Sequence, residues 1–228
     1  MVSFRTQFSL RALLVTLILA VSCLTFALFE ENPLQQLAIE RYGEEAGRSI
    51  EAWQELLENL KDQPIDIQLS GVNDFFNRRI AFVNDIDVWG VPDYWATPLE
   101  TMGVAQGDCE DFAIAKYVSL RLLGIDNQHL RLIYVSARSG GSFSQTTQAH
   151  MVLGYYPEPQ AEPLVLDNLL TEIRPASRRP DLQPVFSFNS AGLWVAGAGP
   201  AASGSPARLS RWRDVLARMH HEGMILEP

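Results

Sequence analysis

Cysteine is almost missing from this chain of 228 residues: Cys23 and Cys109 are the only two. Cys23 lies within an apolar N-terminal run, so a mature domain freed of that run holds one thiol and no internal disulfide. Histidine is also scarce, at four residues. Positive charge is in deficit: 18 Lys and Arg face 27 Asp and Glu, a net charge of −9, and loss of Arg5 and Arg11 with the N-terminus takes it to −11. Such a chain repels nucleic-acid phosphates, which excludes a nucleic-acid partner, and attracts cations. Internal repeats and long low-complexity tracts are absent too. With 47% hydrophobic residues, there is apolar material for one packed core, which predicts a single domain over residues 30–228.

What is present begins with a signal. Arg5 and Arg11 precede an uncharged run from Ala12 to Phe29, the charge-then-apolar order of an export signal. Cleavage after Ala27 gives a periplasmic protein; retention of the run gives an inner-membrane anchor, for which its length suffices. Ala20-Val21-Ser22 before Cys23 only loosely resembles a lipoprotein cleavage site. A lone thiol in an exported protein risks oxidation, so keeping Cys109 points to chemistry, with a buried, inert cysteine as the alternative.

Hydrophobic periodicity predicts a helix over Pro33 to Leu60 and a second over Asn73 to Val88, the latter burying Phe75, Phe76, Ile80, Phe82 and Val83. A loop rich in Trp, Pro and Tyr runs from Trp89 to Pro98. The clearest helix is Asp108 to Leu123, bracketed by Gly107 and Gly124, with Cys109, Ala113, Lys116 and Leu120 in one sector. Strands follow at Leu130 to Ala137, Ala149 to Tyr156 and Pro163 to Leu169, the first two joined by a polar, flexible loop from Arg138 to Gln148. Val185 to Phe188 and Leu193 to Ala196 form another hairpin, and Gly197 to Ser205 is a small-residue connector. A last helix begins at Ser205-Pro206, with Leu209, Trp212, Leu216 and Met219 in one stripe. Helices first and an antiparallel sheet second is the α+β pattern.

A thiol nucleophile needs a lowered pKa, a base, and a third group that orients the base. Cys109 sits in the first turn of a helix, where unpaired N–H groups favour a thiolate. His150 is the one histidine within a core strand, and Asp167 stands in the apolar run Leu164 to Leu169, where an unpaired carboxylate is costly. Side chains on neighbouring antiparallel strands approach to about 5 Å, so the two pair if the register allows. A satisfied core histidine is the other reading of His150.

Three carboxylates flank the nucleophile. Asp108, Glu110 and Asp111 raise a neighbouring thiol's pKa and oppose catalysis if left bare. On a helical wheel they gather opposite Cys109, where they can share one hard cation or merely complement the helix dipole.

The blocks Gly107-Asp108-Cys109-Glu110-Asp111-Phe112-Ala113, Ala149-His150-Met151-Val152-Leu153 and Val165-Leu166-Asp167-Asn168 resemble the signature of the bacterial transglutaminase-like cysteine proteases of the LapG type. Trp89-Gly90, Asp93-Tyr94-Trp95, Pro98, Phe186 to Asn189 and Gly192-Leu193-Trp194 fit it as well, so the resemblance spans Asn73 to Trp194. It implies a papain-like, transglutaminase-like fold, a triad of Cys109, His150 and Asp167, and Ca2+ bound at Asp108, Glu110 and Asp111. It further implies a periplasmic endopeptidase that trims the N-terminal region of a large surface adhesin and so releases biofilm. Its implied inhibitor is an inner-membrane receptor that senses cyclic-di-GMP.

Two other readings fit the residues. The same three residues support transglutamination or cell-wall amide hydrolysis, since each begins with attack on an amide carbonyl. A non-enzymatic calcium-binding adaptor needs the acidic cluster but not the thiol.

Overall fold

The structure is a computed structural model and describes residues 32–139, 146–195 and 206–226. The export signal, Cys23 and the small-residue connector lie outside them. Helix α1 (Pro33–Tyr42) is started by Asn32, whose Oδ1 accepts the Gln35 N–H at 3.2 Å, and by Pro33 in its first turn. The expected continuous helix to Leu60 is broken at Gly43. That residue takes φ of +91°, a left-handed value that glycine adopts without a Cβ clash, and α2 (Glu44–Leu60) sets off from it in a new direction. Ile50, Trp53 and Leu60 are the buried side of α2, and Trp53 Nε1–H donates to Ser119 Oγ at 2.8 Å.

The second expected helix is displaced. Helix α3 spans Ile65–Arg79, and after Ile80 the chain turns extended as β1 (Ala81–Phe82), followed by the short α4 (Asp85–Val88). Phe82 is 53% exposed rather than buried. Its neighbours' N–H groups explain why: Ala81 and Val83 donate to the carbonyls of Ala105 and Gly107, so this stretch serves a strand pair, not a helix face. The partner is β2 (Gln106–Gly107), parallel to β1. Between them, α5 (Pro98–Val104) is opened by a reciprocal cap, with Thr97 Oγ1 accepting the Glu100 N–H and Glu100 Oε2 accepting the Thr97 N–H.

Helix α6 (Cys109–Leu122) is the centre of the molecule, with every residue from Asp111 to Leu120 buried. It ends where Gly124 adopts φ of +88°. It packs on a six-stranded antiparallel sheet made of β3 (Leu130–Ser139), β4 (Thr146–Tyr155), β5 (Leu164–Leu166), β6 (Arg174–Pro175), β7 (Leu182–Phe188) and β8 (Leu193–Val195). Their order is β6-β5-β4-β3-β7-β8. Strands β3 and β4 run longer than the sequence suggests, pairing as far as Ser139 with Thr146, which confines the polar connection to residues 140–145.

Strand alternation divides the sheet's apolar residues. Leu132, Met151, Leu153, Leu166 and Phe188 join the main core with the helices, whereas Ile133, Val135, Val152 and Val165 form a second cluster on the other face. Helix α7 (Pro206–His221) closes the main core, placing Trp212 edge-on to Tyr117 at 5.4 Å between ring centroids. Trp212, Val215 and Met219 are its buried stripe.

Candidate active site

The sequence around Cys109 is built as a reciprocal helix cap. Asp108 is the N-cap, extended at φ −105° and ψ −166°, and its Oδ1 accepts the Glu110 N–H at 3.3 Å. Asp111 reaches back to accept the Asp108 N–H at 3.2 Å, while its other oxygen accepts the Ala96 N–H at 2.7 Å. Gly107 must lack a side chain, because a Cβ there would lie 2.8 Å from the Asp111 Cβ. These bonds fix the first turn of α6 and hold Cys109, half-buried, at the sheet.

Strand β4 meets the thiol. Its Met151 N–H acts to stabilise the Cys109 thiolate, and His150 is the residue before it. His150 is 2% exposed, and its Nε2 lies 2.8 Å from Asp167 Oδ1. Asp167 thereby occupies one ring nitrogen and leaves Nδ1 for a second partner. Asp167 follows β5 directly. Its Oδ1 also accepts the Leu169 N–H at 3.0 Å, and its Oδ2 accepts from Arg179 Nη2 at 2.7 Å. Asn77 Nδ2 donates to the Asp167 carbonyl at 2.8 Å.

Charge at the site is uneven. Burial pushes the Asp167 carboxyl up, but the hydrogen bonds and charges of His150, Leu169 N–H and Arg179 outweigh it and hold the group at about 2. Burial pushes the Cys109 thiol up, and the carboxylates of Glu110 and then Asp108 add to this; only the Met151 N–H acts the other way. The thiol itself donates to Glu110 Oε2 at 2.7 Å. Lys116, two turns along α6, is 1% exposed, its Nζ 5.7 Å from the centre of the Phe112 ring. Burial lowers it to about 7, against the charges of Asp167 and Asp74.

The acidic cluster differs from the expected one. Asp108 and Asp111 do come together, with Asp85 from α4 as the third member, each offering an oxygen within 4.8 Å of the others. Glu110 instead groups with Asp108 and the Cys109 sulfur, so the three expected carboxylates do not all lie opposite the thiol. The helical wheel misplaces Glu110, whose carboxylate turns to accept from the adjacent thiol. Asp85 Oδ1 is buried with no hydrogen-bond partner among the described residues, the condition of a ligand atom awaiting a cation. Burial pushes Asp85, Asp108 and Asp111 all upward; the Asp108 charge adds to this at Asp85 and Asp111, and the Glu110 charge adds to it at Asp108. The aromatic loop secures this corner: Tyr94 N–H donates to Asp85 Oδ2 at 2.6 Å, and Trp95 stacks on Phe188 at 5.6 Å.

Sequence reasoning missed Asp85, Arg179 and Lys116. Arg179 and Asp181 are a close charge pair between β6 and β7, and Lys116 is a lone cation in an apolar stripe; both are signals, though weak ones. Gln106 is exposed on β2, and Asn168 has a buried Oδ1 with no partner among the described residues.

A central helix that starts with a cysteine and packs on an antiparallel sheet bearing a His–Asp pair is the transglutaminase-like cysteine protease fold. The model of the bacterial transglutaminase-like cysteine proteinases (BTLCP) matches residues 46–183, and the chain belongs to that family. Legionella pneumophila LapG is 40% identical, the match covering 82% of this chain and 95% of that one at a TM-score of 0.68. Calcium-bound Legionella pneumophila LapG is 41% identical, covering 82% of this chain and 97% of that one, also at 0.68. The EGTA-treated form of the same protein matches at 40% identity, 82% and 95% coverage and 0.68. No curated protein sequence matches.

Proposed function

We propose that this member of the family is a calcium-dependent cysteine endopeptidase using Cys109, His150 and Asp167. The observation that carries it is the His150–Asp167 pair at 2.8 Å, with His150 on the strand that packs against the helix of Cys109. Asp167 holds the imidazole by Nε2 and stabilises its cation. Nδ1 takes the thiol proton as the sulfur attacks the scissile carbonyl, giving an imidazolium and a tetrahedral oxyanion. The imidazolium then protonates the leaving amine as the C–N bond breaks, leaving a thioester. Water, deprotonated by the same nitrogen, hydrolyses the thioester and restores the thiol.

Asp85, Asp108 and Asp111 fit a calcium ion, with Glu110 close by, because they gather hard oxygen donors and one orphaned buried oxygen. A bound calcium ion supplies positive charge that offsets the field opposing a thiolate at Cys109. Calcium in a 41%-identical relative supports this assignment.

The substrate in this reading is the N-terminal region of a large surface adhesin, cleaved in the periplasm to release biofilm. An inner-membrane cyclic-di-GMP receptor restrains the enzyme, and residues 1–29 export it. These points rest on the motif resemblance at Gly107 to Ala113, Ala149 to Leu153 and Val165 to Asn168. The test is incubation with adhesin N-terminal fragments from the same genome, with and without an added amine. Two fragments from one cut support the reading; amine incorporation without cleavage replaces it with transglutamination.

A further inference from the structure

On the sheet face of Ile133, Val135, Val152 and Val165 lies a pocket of about 470 Å3. Neither Cys109 nor the His150–Asp167 pair lines it. Its two cations are Arg131 and Arg179. The Arg131 guanidinium sits between the rings of Tyr156 and Trp194, at 4.3 and 4.2 Å, and donates through Nη2 to the Pro159 carbonyl at 3.0 Å. Its Nε is buried and has no hydrogen-bond partner among the described residues. Arg179 is 4% exposed; Nε and Nη2 are taken by Asp181 and Asp167, but Nη1 is buried and equally without a partner.

An unsatisfied donor in a buried guanidinium is costly, and whereas Arg179 is neutralised by Asp167 and Asp181, Arg131 has no carboxylate partner among the described residues and calls for an anionic acceptor. The rest of the wall is largely aliphatic and aromatic, with Phe186 and Trp194 beside the four β-branched residues. The ligand therefore carries an apolar body.

We propose that this pocket binds a single-chain aliphatic carboxylate of fatty-acid type, its carboxylate paired with the Arg131 guanidinium. Titration calorimetry of the full-length protein with decanoate tests it, and reads binding without turnover, so the result stands apart from the peptidase assignment. Saturable one-to-one binding is expected, with decanol and decylamine at least tenfold weaker. Arg131→Gln and Ala176→Trp, the second filling the pocket, are each expected to weaken decanoate at least tenfold while the melting temperature holds. No saturable binding, equal affinity for decanol, or full affinity in both variants overturns the proposal. Tighter binding of an acetylated apolar tripeptide with a free C-terminus overturns it too, reassigning the pocket to a chain end.

Discussion

Arg179 and Asp167 form a buried ion pair, Nη2 to Oδ2 at 2.7 Å, with side chains 3% and 0% exposed. Because Oδ1 is already committed to His150, the carboxylate is pinned at both oxygens and cannot rotate away from the imidazole. Burial alone would favour the neutral acid; the hydrogen bond to His150 and the Arg179 cation keep it charged.

Asp167→Asn is expected to fold and to lose about 10²- to 10⁴-fold in kcat/KM, because an amide can hold the ring in the wrong tautomer and cannot stabilise its cation. The carboxyl is held at about 2, below its usual 3.8, so its stabilisation is present above pH 4 and is lost as pH falls through 2. Acid titrations of unfolding free energy should show wild type losing about 2 kcal/mol relative to Asp167→Asn between pH 5 and pH 2. Parallel curves would remove the charged pair from the account.

Arg179→Met leaves Asp167 buried with one partner fewer, at a cost of about 3 kcal/mol by analogy with other broken buried pairs. Acting through Asp167, the change should lower kcat more than it raises KM and move the acid limb of the pH–rate profile upward. A fall in melting temperature with an unmoved profile would make Arg179 purely structural.

Cys109→Ala and His150→Ala should each reduce cleavage on the order of 10⁴-fold or more; the first should leave the melting temperature nearly unchanged, whereas the second should lower it by leaving Asp167 buried with one partner fewer. Fragment release measured by gel or mass spectrometry decides this, and persistent cleavage by Cys109→Ala ends the thiol mechanism.

Chelation should lower both activity and melting temperature, with calcium restoring both and magnesium, stricter in geometry, doing so poorly. Asp85→Ala and Asp111→Ala should each reproduce the chelated state and respond weakly to added calcium. Full activity in excess chelator would reduce the cluster to a helix cap.

Lys116 is lowered to about 7 from 10.5, so across pH 7 to 10 the unfolded chain holds a proton that the native one releases, and stability rises with pH at up to about 1.4 kcal/mol per unit. Lys116→Met should lack this rise and melt higher than wild type at pH 7, the gap closing toward pH 10. Identical pH slopes in the two proteins would count against a buried, depressed lysine.

The nucleophile helix, the strand bearing His150 and the run before Asp167 are legible in the sequence because each is local. Gly107 and Gly124 bracket one helix, and alternation marks the strands. Gly43 shows the limit: an apolar repeat continued across it in sequence, but its backbone did not continue the helix. Asp85 was hidden for a different reason. It reaches Asp108 and Asp111 only through the parallel pairing of β1 with β2, and no short-range pattern announces a two-residue strand. Arg179 likewise meets Asp167 through the fold of the sheet edge, where charge pairing outweighs the exposure its residue type suggests.

That two-residue pairing has a mechanical consequence. Ala81–Phe82 and Gln106–Gly107 lie side by side, and each leads within a few residues to a carboxylate, Asp85 on one branch and Asp108 on the other. The chain between them is a noose carrying Trp89, Tyr94 and Trp95, and an ion held at its neck draws it tight. Trp89 and Tyr94 are 4.8 Å apart within it, so indole emission becomes a built-in gauge of the knot, legible in the protein alone before any substrate is added.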